Sequence, residues 1–147
     1  MKKLLLAFFS FSFILSHAQM NRLSEQIGNV KKITSYTKNI RVCYAYELSN
    51  AFVEVSFISS TTVRVRATKA KPVDDFSFAI ENPETFENFK VSEENKGDNT
   101  MLLSTDALKV EVLSTPFRIN IYNKEGKLIC GDDATLGISW FGNQVSC

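Results

Sequence analysis

Val63-Arg64-Val65-Arg66-Ala67-Thr68 alternates apolar and polar side chains more regularly than any other part of the chain. Successive side chains of a β-strand point to opposite faces of a sheet, so this stretch predicts a strand with its valines on one face and its arginines on the other. Just before it, Val53, Val55 and Phe57 also occupy alternate positions. The two stretches therefore predict neighbouring strands of an antiparallel sheet.

Similar alternation recurs along the chain and is interrupted by turn-forming residues about every 8–12 positions, which is typical of a β-sandwich or a β-barrel. Turns are expected at Ser49-Asn50, Lys96-Gly97-Asp98-Asn99 and Asn123-Lys124-Glu125-Gly126. A short helix is expected, if anywhere, between Ser24 and Lys32. One all-β antiparallel domain of about ten strands is therefore predicted over residues 19–147. The predicted strands lie at 41–47, 53–57, 63–68, 76–80, 86–93, 100–105, 108–112, 117–121, 128–130 and 136–141.

The N-terminus has the layout of a secretory signal peptide. Lys2 and Lys3 precede an apolar stretch from Leu4 to Leu15, and Ser16-His17-Ala18 supplies small residues before a cut ahead of Gln19. This stretch of twelve residues, in which Ser10 and Ser12 are the only polar members, is too short to cross about 30 Å of hydrocarbon as a helix, which argues against a retained anchor. We expect residues 1–18 to be removed and the rest to be exported to the periplasm or the medium, with no further membrane association.

Composition excludes several classes of partner. The 147 residues are 44% hydrophobic and carry a net charge of +1, so no global field would attract nucleic acid or an anionic membrane. Removal of the leader also removes His17, the one histidine in the sequence. A mature chain without histidine cannot build a Ser-His-Asp or Cys-His centre, and the sequence holds no glycine-rich phosphate loop. We therefore predict no cofactor and no metal site, and any catalysis within this chain would have to use carboxylates, tyrosine, lysine or an unusual cysteine.

The three cysteines could close one disulfide and leave one thiol free in an oxidising compartment. The simpler interpretation is that Cys43 and Cys130 are small buried residues on strands. Cys147 stands at the last position of the sequence.

A few side chains could carry chemistry, and each has a simpler structural interpretation. The adjacent acids Asp74-Asp75, Glu93-Glu94 and Asp132-Asp133 are interpreted as solvated turn residues, because neighbours in a loop do not flank one glycosidic bond. Arg64 and Arg66 could bind an anion but fit an exposed strand face. Trp140 is the one candidate carbohydrate contact, since its ring could stack on a sugar, although a buried or domain-interface tryptophan is the favoured alternative.

Four motifs follow one another in the last third of the chain, namely Leu108-Lys109-Val110-Glu111-Val112, 116–122 (PFRINIY), 123–129 (NKEGKLI) and Leu136-Gly137-Ile138-Ser139-Trp140. Together with Val63-Arg64-Val65-Arg66, this ordered set resembles the N-terminal β-sandwich domain of secreted bacterial glycoside hydrolase family 31 enzymes, the α-glucosidase and α-xylosidase group. The similarity runs from about Gly28 to the end of the chain.

The resemblance implies a galactose-mutarotase-like sandwich that precedes a (β/α)₈ barrel. In that family the barrel carries a nucleophilic and an acid/base aspartate, and a loop of the sandwich helps to wall the sugar site. The full enzyme would bind an α-linked oligosaccharide and hydrolyse its terminal α-glycosidic bond with retention. This chain stops at Cys147, before the Gly-rich segment that completes the family's sandwich, and none of its aspartates matches the catalytic pair. We therefore expect an incomplete sandwich whose partner is the absent barrel and which is not catalytic on its own.

Two other hypotheses stay open at this point. The first is a free-standing secreted carbohydrate-binding sandwich, which would need an exposed aromatic platform with Trp140 as its anchor. The second is an adhesive or scaffolding β-domain with no role in sugar binding.

Overall fold

A computed structural model describes residues 24–38, 41–72, 88–142 and 144–146. The expected leader at 1–18 and the predicted strand at 76–80 lie outside the described residues. Within the described ranges every regular element is a β-strand, so no helix is present there that could span a membrane. The twelve strands are β1 (Ser24–Gln26), β2 (Val30–Lys38), β3 (Arg41–Leu48), β4 (Phe52–Ser59), β5 (Thr62–Thr68), β6 (Ser92–Gly97), β7 (Thr100–Ser104), β8 (Leu108–Ser114), β9 (Phe117–Asn123), β10 (Leu128–Gly131), β11 (Ser139–Phe141) and β12 (Gln144–Ser146).

The strands form three antiparallel sheets. One has the order β2-β3-β4-β5, the second has the order β10-β9-β8-β7-β6, and a small third sheet has the order β1-β11-β12. Neighbours in the two larger sheets are consecutive in sequence, so both are meanders that short turns can connect. The all-β, antiparallel prediction is confirmed.

The faces of β5 follow the predicted alternation. Val63 lies opposite Phe57 and packs against the core, and Val65 lies opposite Val55 on the same face but is 38% exposed. Arg64 lies opposite Ser56 on the other face of the same sheet. Because side chains paired across antiparallel strands share a face, the four-stranded sheet has one apolar side and one polar side.

The core lies between the apolar faces of the two larger sheets, and the third sheet adds Trp140 to it. Aromatic rings join the layers: Tyr46 of β3 meets Phe117 of β9 edge to face, with ring centroids 5.5 Å apart. Tyr44 also crosses the gap, since its hydroxyl donates to Glu93 Oε1 of β6 at 2.9 Å. Burial and the Glu93 carboxylate raise the pKa of Tyr44, so this hydroxyl remains a donor.

Two predictions of secondary structure, a short helix between Ser24 and Lys32 and a strand at 86–93, do not match the structure. The segment from Ser24 to Lys32 is not helical, because β1 pairs with β11 and β2 pairs with β3, which gives its backbone groups partners in sheets. Of the strand predicted at 86–93, positions 86–87 lie outside the described residues, 88–91 are not in a strand, and the polar residues Ser92–Gly97 form β6. As the edge strand of its sheet, β6 lies beside the more apolar β7 and is exposed throughout, so it needs no apolar alternation of its own.

The hairpin turns are confirmed where they were predicted. Asp98 and Asn99 between β6 and β7 have φ values of 46° and 61°, the positive pair that a type I′ turn requires. Gly126, between β9 and β10, has a φ of 87°, which its missing side chain permits. These turns hold the consecutive strands in register.

Candidate functional site

Trp140 lies in the middle of the small sheet, paired with Glu25 of β1 on one side and Val145 of β12 on the other. Its side chain is only 6% exposed and belongs to the core cluster. The Lys69 ammonium sits 5.5 Å from the ring centroid. A sugar that stacked on this ring would have to displace Lys69. The geometry matches the buried alternative, and a carbohydrate contact at Trp140 stays a prediction.

Lys69 connects the end of β5 to the small sheet. Its Nζ donates to Glu25 Oε2 at 3.3 Å and to the Gly142 carbonyl at 3.1 Å while it lies over Trp140. The indole Nε1 is buried and has no hydrogen-bond partner among the described residues. This corner is therefore a structural junction in which the tryptophan supplies packing.

The adjacent acids at 132–133 shape the loop that follows β10. Asp132 Oδ2 accepts from the Ile119 N–H at 2.8 Å, and Asp133 Oδ1 accepts from the N–H groups of Leu136 and Thr135 at 2.7 and 2.8 Å. Burial raises the pKa of Asp132, whereas the two backbone donors lower the pKa of Asp133. The interpretation of this pair as solvated turn residues fits Asp133, whereas Asp132 is partly buried; both carboxylates accept hydrogen bonds from the backbone.

Arg118, from the Pro-Phe-Arg motif, is hydrogen-bonded to the backbone of the same loop. Its guanidinium donates to the carbonyls of Phe117 at 2.7 Å and Thr135 at 3.2 Å. Gly137 passes directly over it with a φ of 56°, and an added Cβ would lie 2.3 Å from Arg118 Nη1. The loop therefore needs glycine at 137 and packs its backbone against the arginine.

Glu93 and Glu94 are strand residues, which corrects their interpretation as turn residues. Successive positions on β6 point to opposite faces, so Glu93 accepts from Tyr44 while Glu94 pairs with Lys96 at 2.7 Å. These two carboxylates cannot flank one bond. Asp74-Asp75 lies outside the described residues.

The outer face of the four-stranded sheet has a carboxylate at its centre. Glu54 accepts from the Ser56 hydroxyl at 3.0 Å and from the Tyr36 hydroxyl. Arg64 and Arg66 lie half-buried on this face, opposite Ser56 and Glu54, and neither is without a partner. The interpretation of both arginines as part of an exposed strand face is correct for the face on which they lie, but their side chains are half-buried and not exposed.

The cysteines behave differently from one another. Cys43 is buried beside Ser56, as predicted, and burial raises the pKa of its thiol. Cys130 is exposed, which corrects the prediction that it is buried, because β10 is the edge of its sheet. Both are free thiols. Cys147 lies outside the described residues.

A polar network that the sequence did not single out crosses the outer face of the five-stranded sheet. Glu111 of β8 lies opposite Asn120 of β9, and its Oε2 accepts from Asn120 Nδ2 at 3.0 Å and from the Tyr122 hydroxyl at 3.2 Å. The sequence could have indicated this network if β8 and β9 had been treated as a hairpin and their outward-facing residues had been paired.

The described residues offer no cluster of three or more His, Cys, Asp or Glu that could hold a metal ion. An open cleft of about 380 Å³ lies between β2 and the turn from β6 to β7. Its walls combine the apolar Ile33 and Met101 with Asn95, Asp98 and Asn99. The polar groups of this cleft are the amides and the carboxylate of a turn, and they do not indicate a particular reaction.

Comparison with known proteins gives the family context. The model of the glycosyl hydrolase 31 N-terminal galactose mutarotase-like domain matches residues 52–145. No curated protein sequence matches the chain.

Solved structures share the fold. A GH31 dextranase from Flavobacterium johnsoniae, solved with isomaltotriose and with glucose, is similar with a TM-score of 0.61 and 24% identity over 78% of this chain. An uncharacterized Listeria monocytogenes protein solved with glucose, magnesium and calcium has a TM-score of 0.58 and 12% identity over 83% of this chain. The cycloalternan-forming enzyme of Listeria monocytogenes, solved with a pentasaccharide substrate, has a TM-score of 0.57 and 12% identity over 80% of this chain. The chain spans only 14%, 11% and 10% of those three proteins, in the same order.

Proposed function

We propose that this chain is the non-catalytic N-terminal β-sandwich of an exported α-glycosidase. The chain belongs to the family of glycosyl hydrolase 31 N-terminal galactose mutarotase-like domains. The observation that carries the proposal is the family match over residues 52–145, which spans the strands from β4 to β11 and most of β12. The enzyme would hydrolyse a terminal α-glycosidic bond with retention. Its catalytic barrel would lie in a part of the protein that this sequence does not contain.

The engagement of the carboxylates supports a non-catalytic role. A retaining glycosidase needs two carboxyl groups about 5–5.5 Å apart on either side of one bond. Asp132 and Asp133 are bound to backbone N–H groups, and Glu93 and Glu94 face opposite sides of a strand. The adjacent pairs in the described part of the chain therefore serve the scaffold.

An α-linked oligosaccharide is the substrate class that we propose for the complete enzyme. The dextranase that shares this fold was solved with isomaltotriose, and the cycloalternan-forming enzyme with a pentasaccharide substrate. In our proposal the sandwich packs beside the barrel and one of its loops helps to enclose the sugar. Export rests on the two lysines and the apolar stretch that precede Ala18.

The test uses the gene beyond the codon for Cys147. We expect an open frame that encodes a barrel, and a product extended through it should release glucose from isomaltotriose or maltose. Proton NMR of the first product formed should show the α-anomer, as retention requires. A matched extended variant with both barrel aspartates changed to asparagine should be inactive. A genuine stop after Cys147, or an extended product that cleaves no α-glycoside, would contradict the proposal.

Export is tested separately by N-terminal sequencing. The product collected outside the cytoplasm should begin at Gln19, and replacement of Lys2 and Lys3 by glutamate should slow its export. Material that begins at Met1 outside the cytoplasm would contradict removal of the leader.

A further inference from the structure

The outer face of the five-stranded sheet carries an organised set of polar groups away from the core. Val110, Val112 and Ile119 point into the core, so the residues between them on β8 and β9 point outward. Glu111 and Asn120 are paired there, and Tyr122 stands next to them, opposite Lys109. All four side chains are half-buried, which limits their motion and leaves part of each accessible.

The carboxylate is held from one side only. Both hydrogen bonds to Glu111 end on Oε2, one from Asn120 Nδ2 and one from the Tyr122 hydroxyl. Its other oxygen, Oε1, accepts no hydrogen bond from the described residues. Burial and the negative charge of Glu111 raise the pKa of Tyr122, so its hydroxyl stays a donor at neutral pH. One carboxylate oxygen is therefore fixed in place with acceptor capacity to spare.

Gly131 on β10 makes room for the amide. It lies opposite Asn120, and an added Cβ at this glycine would lie 2.6 Å from Asn120 Oδ1. The amide oxygen therefore lies over the glycine while the amide nitrogen bonds Glu111. Two acceptors, Glu111 Oε1 and Asn120 Oδ1, flank one hydrogen bond, which suits a pair of neighbouring hydroxyl donors.

The Tyr122 ring adds an apolar surface to this set. Its directly paired neighbour is Lys109, yet its hydroxyl bonds Glu111 two positions farther along β8. The ring therefore leans along the sheet toward Glu111, and because Tyr122 is half-buried, part of the ring is accessible. An aromatic face beside a few convergent polar groups is the usual composition of a site for a small, uncharged, polar ligand.

We propose that Glu111, Asn120 and Tyr122 form a binding platform for a neutral glucose unit of an α-glucan, separate from the catalytic centre of the complete enzyme. Two neighbouring hydroxyls of the sugar donate to Glu111 Oε1 and Asn120 Oδ1, and the sugar ring packs on Tyr122. The choice of α-glucan rests on the proposed function. The choice of a hydroxyl-rich ligand without negative charge rests on the platform, because its two acceptors suit hydroxyl donors and the Glu111 carboxylate repels an anion.

The experiment is native affinity electrophoresis of the chain from Gln19 in gels that contain dextran, with isomaltotriose as the competing ligand. The wild type should be retarded, and isomaltotriose should reverse the retardation.

Two variants test the platform. Gly131→Ala pushes the Asn120 amide away from Glu111 without removing a polar group, and Tyr122→Ala removes the stacking surface. Each should weaken binding by about tenfold. Glu47→Gln, an exposed carboxylate on the outer face of the other sheet, is the matched control and should bind like the wild type.

Folding of each variant is checked by its melting temperature and near-ultraviolet circular dichroism. If Tyr122→Ala fails to fold, Tyr122→Phe tests the polar part of the platform instead, since it keeps the stacking ring and removes the hydroxyl that holds Glu111, and it should weaken binding by less than tenfold.

Migration of the wild type that dextran does not change would overturn the proposal, and so would folded Gly131→Ala and Tyr122→Ala variants that bind as well as the wild type. Retardation by polygalacturonate in place of dextran would overturn it as well, because it would indicate recognition of an anion. None of these results affects glycoside hydrolysis by the extended product, so failure of the platform is distinguishable from failure of the proposed function.

Discussion

Two adjacent aspartates at 132 and 133 show how neighbouring residues of one type acquire opposite properties. Asp132 is partly buried, which raises its pKa, and its carboxylate still accepts the Ile119 N–H. Asp133 lies at the surface, where the N–H groups of Leu136 and Thr135 lower its pKa below the usual value of 3.8. The sequence shows only the pair, and the different surroundings come from the turn that the chain makes there.

Asp133→Ala should destabilise the fold in a pH-dependent way. A carboxyl group whose pKa is lowered by folding stabilises the native state above its unfolded pKa, and this contribution is lost as the pH falls through the folded pKa. The difference in melting temperature between wild type and variant should therefore be constant above about pH 5 and should shrink below about pH 4.

Asp106→Ala is the control for this measurement. Asp106 is exposed in the turn between β7 and β8, and its carboxylate accepts no backbone N–H among the described residues. Its effect should be small at every pH. A difference for Asp133→Ala that stays the same down to pH 2 would contradict a role for the charged carboxylate.

Phe117→Ala should be among the most damaging changes in the core. Phe117 is fully buried and packs edge to face on Tyr46 across the two sheets. Removal of its ring should lower the free energy of unfolding by about 3–5 kcal/mol, measured by urea denaturation. Phe117→Leu, which refills most of the space, should cost clearly less. Equal costs for the two variants would show that the ring contributes no specific packing.

At the level of single elements, strands with a buried face were predictable and polar edge strands were not. β4 and β8 each bury one face, with Val53, Val55 and Phe57 on β4 and Val110 and Val112 on β8, so alternate positions in their sequences are apolar. β6 has the sequence SEENKG and is exposed along its whole length. Its position depends on hydrogen bonds to β7, which leave no pattern in its own side chains. The same reason explains why β1 and the exposed β2 were missed.

The β6–β7 hairpin offers a test of turn chemistry. Asn99 has a φ of 61°, a region where glycine is less strained than other residues. Asn99→Gly should therefore raise the melting temperature slightly, and Asn99→Val should lower it, because a β-branched side chain is strained at positive φ. Asp98 is the other residue of this turn with a positive φ, so Asp98→Gly and Asp98→Val are the companion variants. The same order of melting temperatures at Asp98 would support a type I′ turn, whereas unchanged melting temperatures at both positions would contradict it.

The free edge of β10 offers a test of association. Leu128 is 53% exposed and Ile129 is 59% exposed on this strand, which, within the described part of the chain, pairs on one side only, with β9. Such edges promote pairing with other chains. Ile129→Lys should increase the monomeric fraction in size-exclusion chromatography with little change in melting temperature. Thr62→Lys on the edge strand β5 is the control, and an equal gain there would show an effect of net charge alone.

For the whole molecule, the sequence predicted the fold class and family but not the contacts that would define a site. Trp140 attracts notice as the one tryptophan, yet its burial depends on β1 and β12, which lie far apart in the chain. Glu111, Asn120 and Tyr122 are common residues at outward strand positions, and they become a network only through the register of β8 and β9. Periodicity gives the face on which a side chain lies, whereas pairing decides its neighbours.

Our main proposal is that this sandwich assists an α-glycosidase without performing its chemistry. The most direct measurement compares glucose release from isomaltotriose by purified chain from Gln19 to Cys147 with release by the product extended through the predicted barrel, at equal molar concentration. We expect the extended product to release glucose and the chain alone to release none above the buffer background. Sustained glucose release by the chain alone would contradict it.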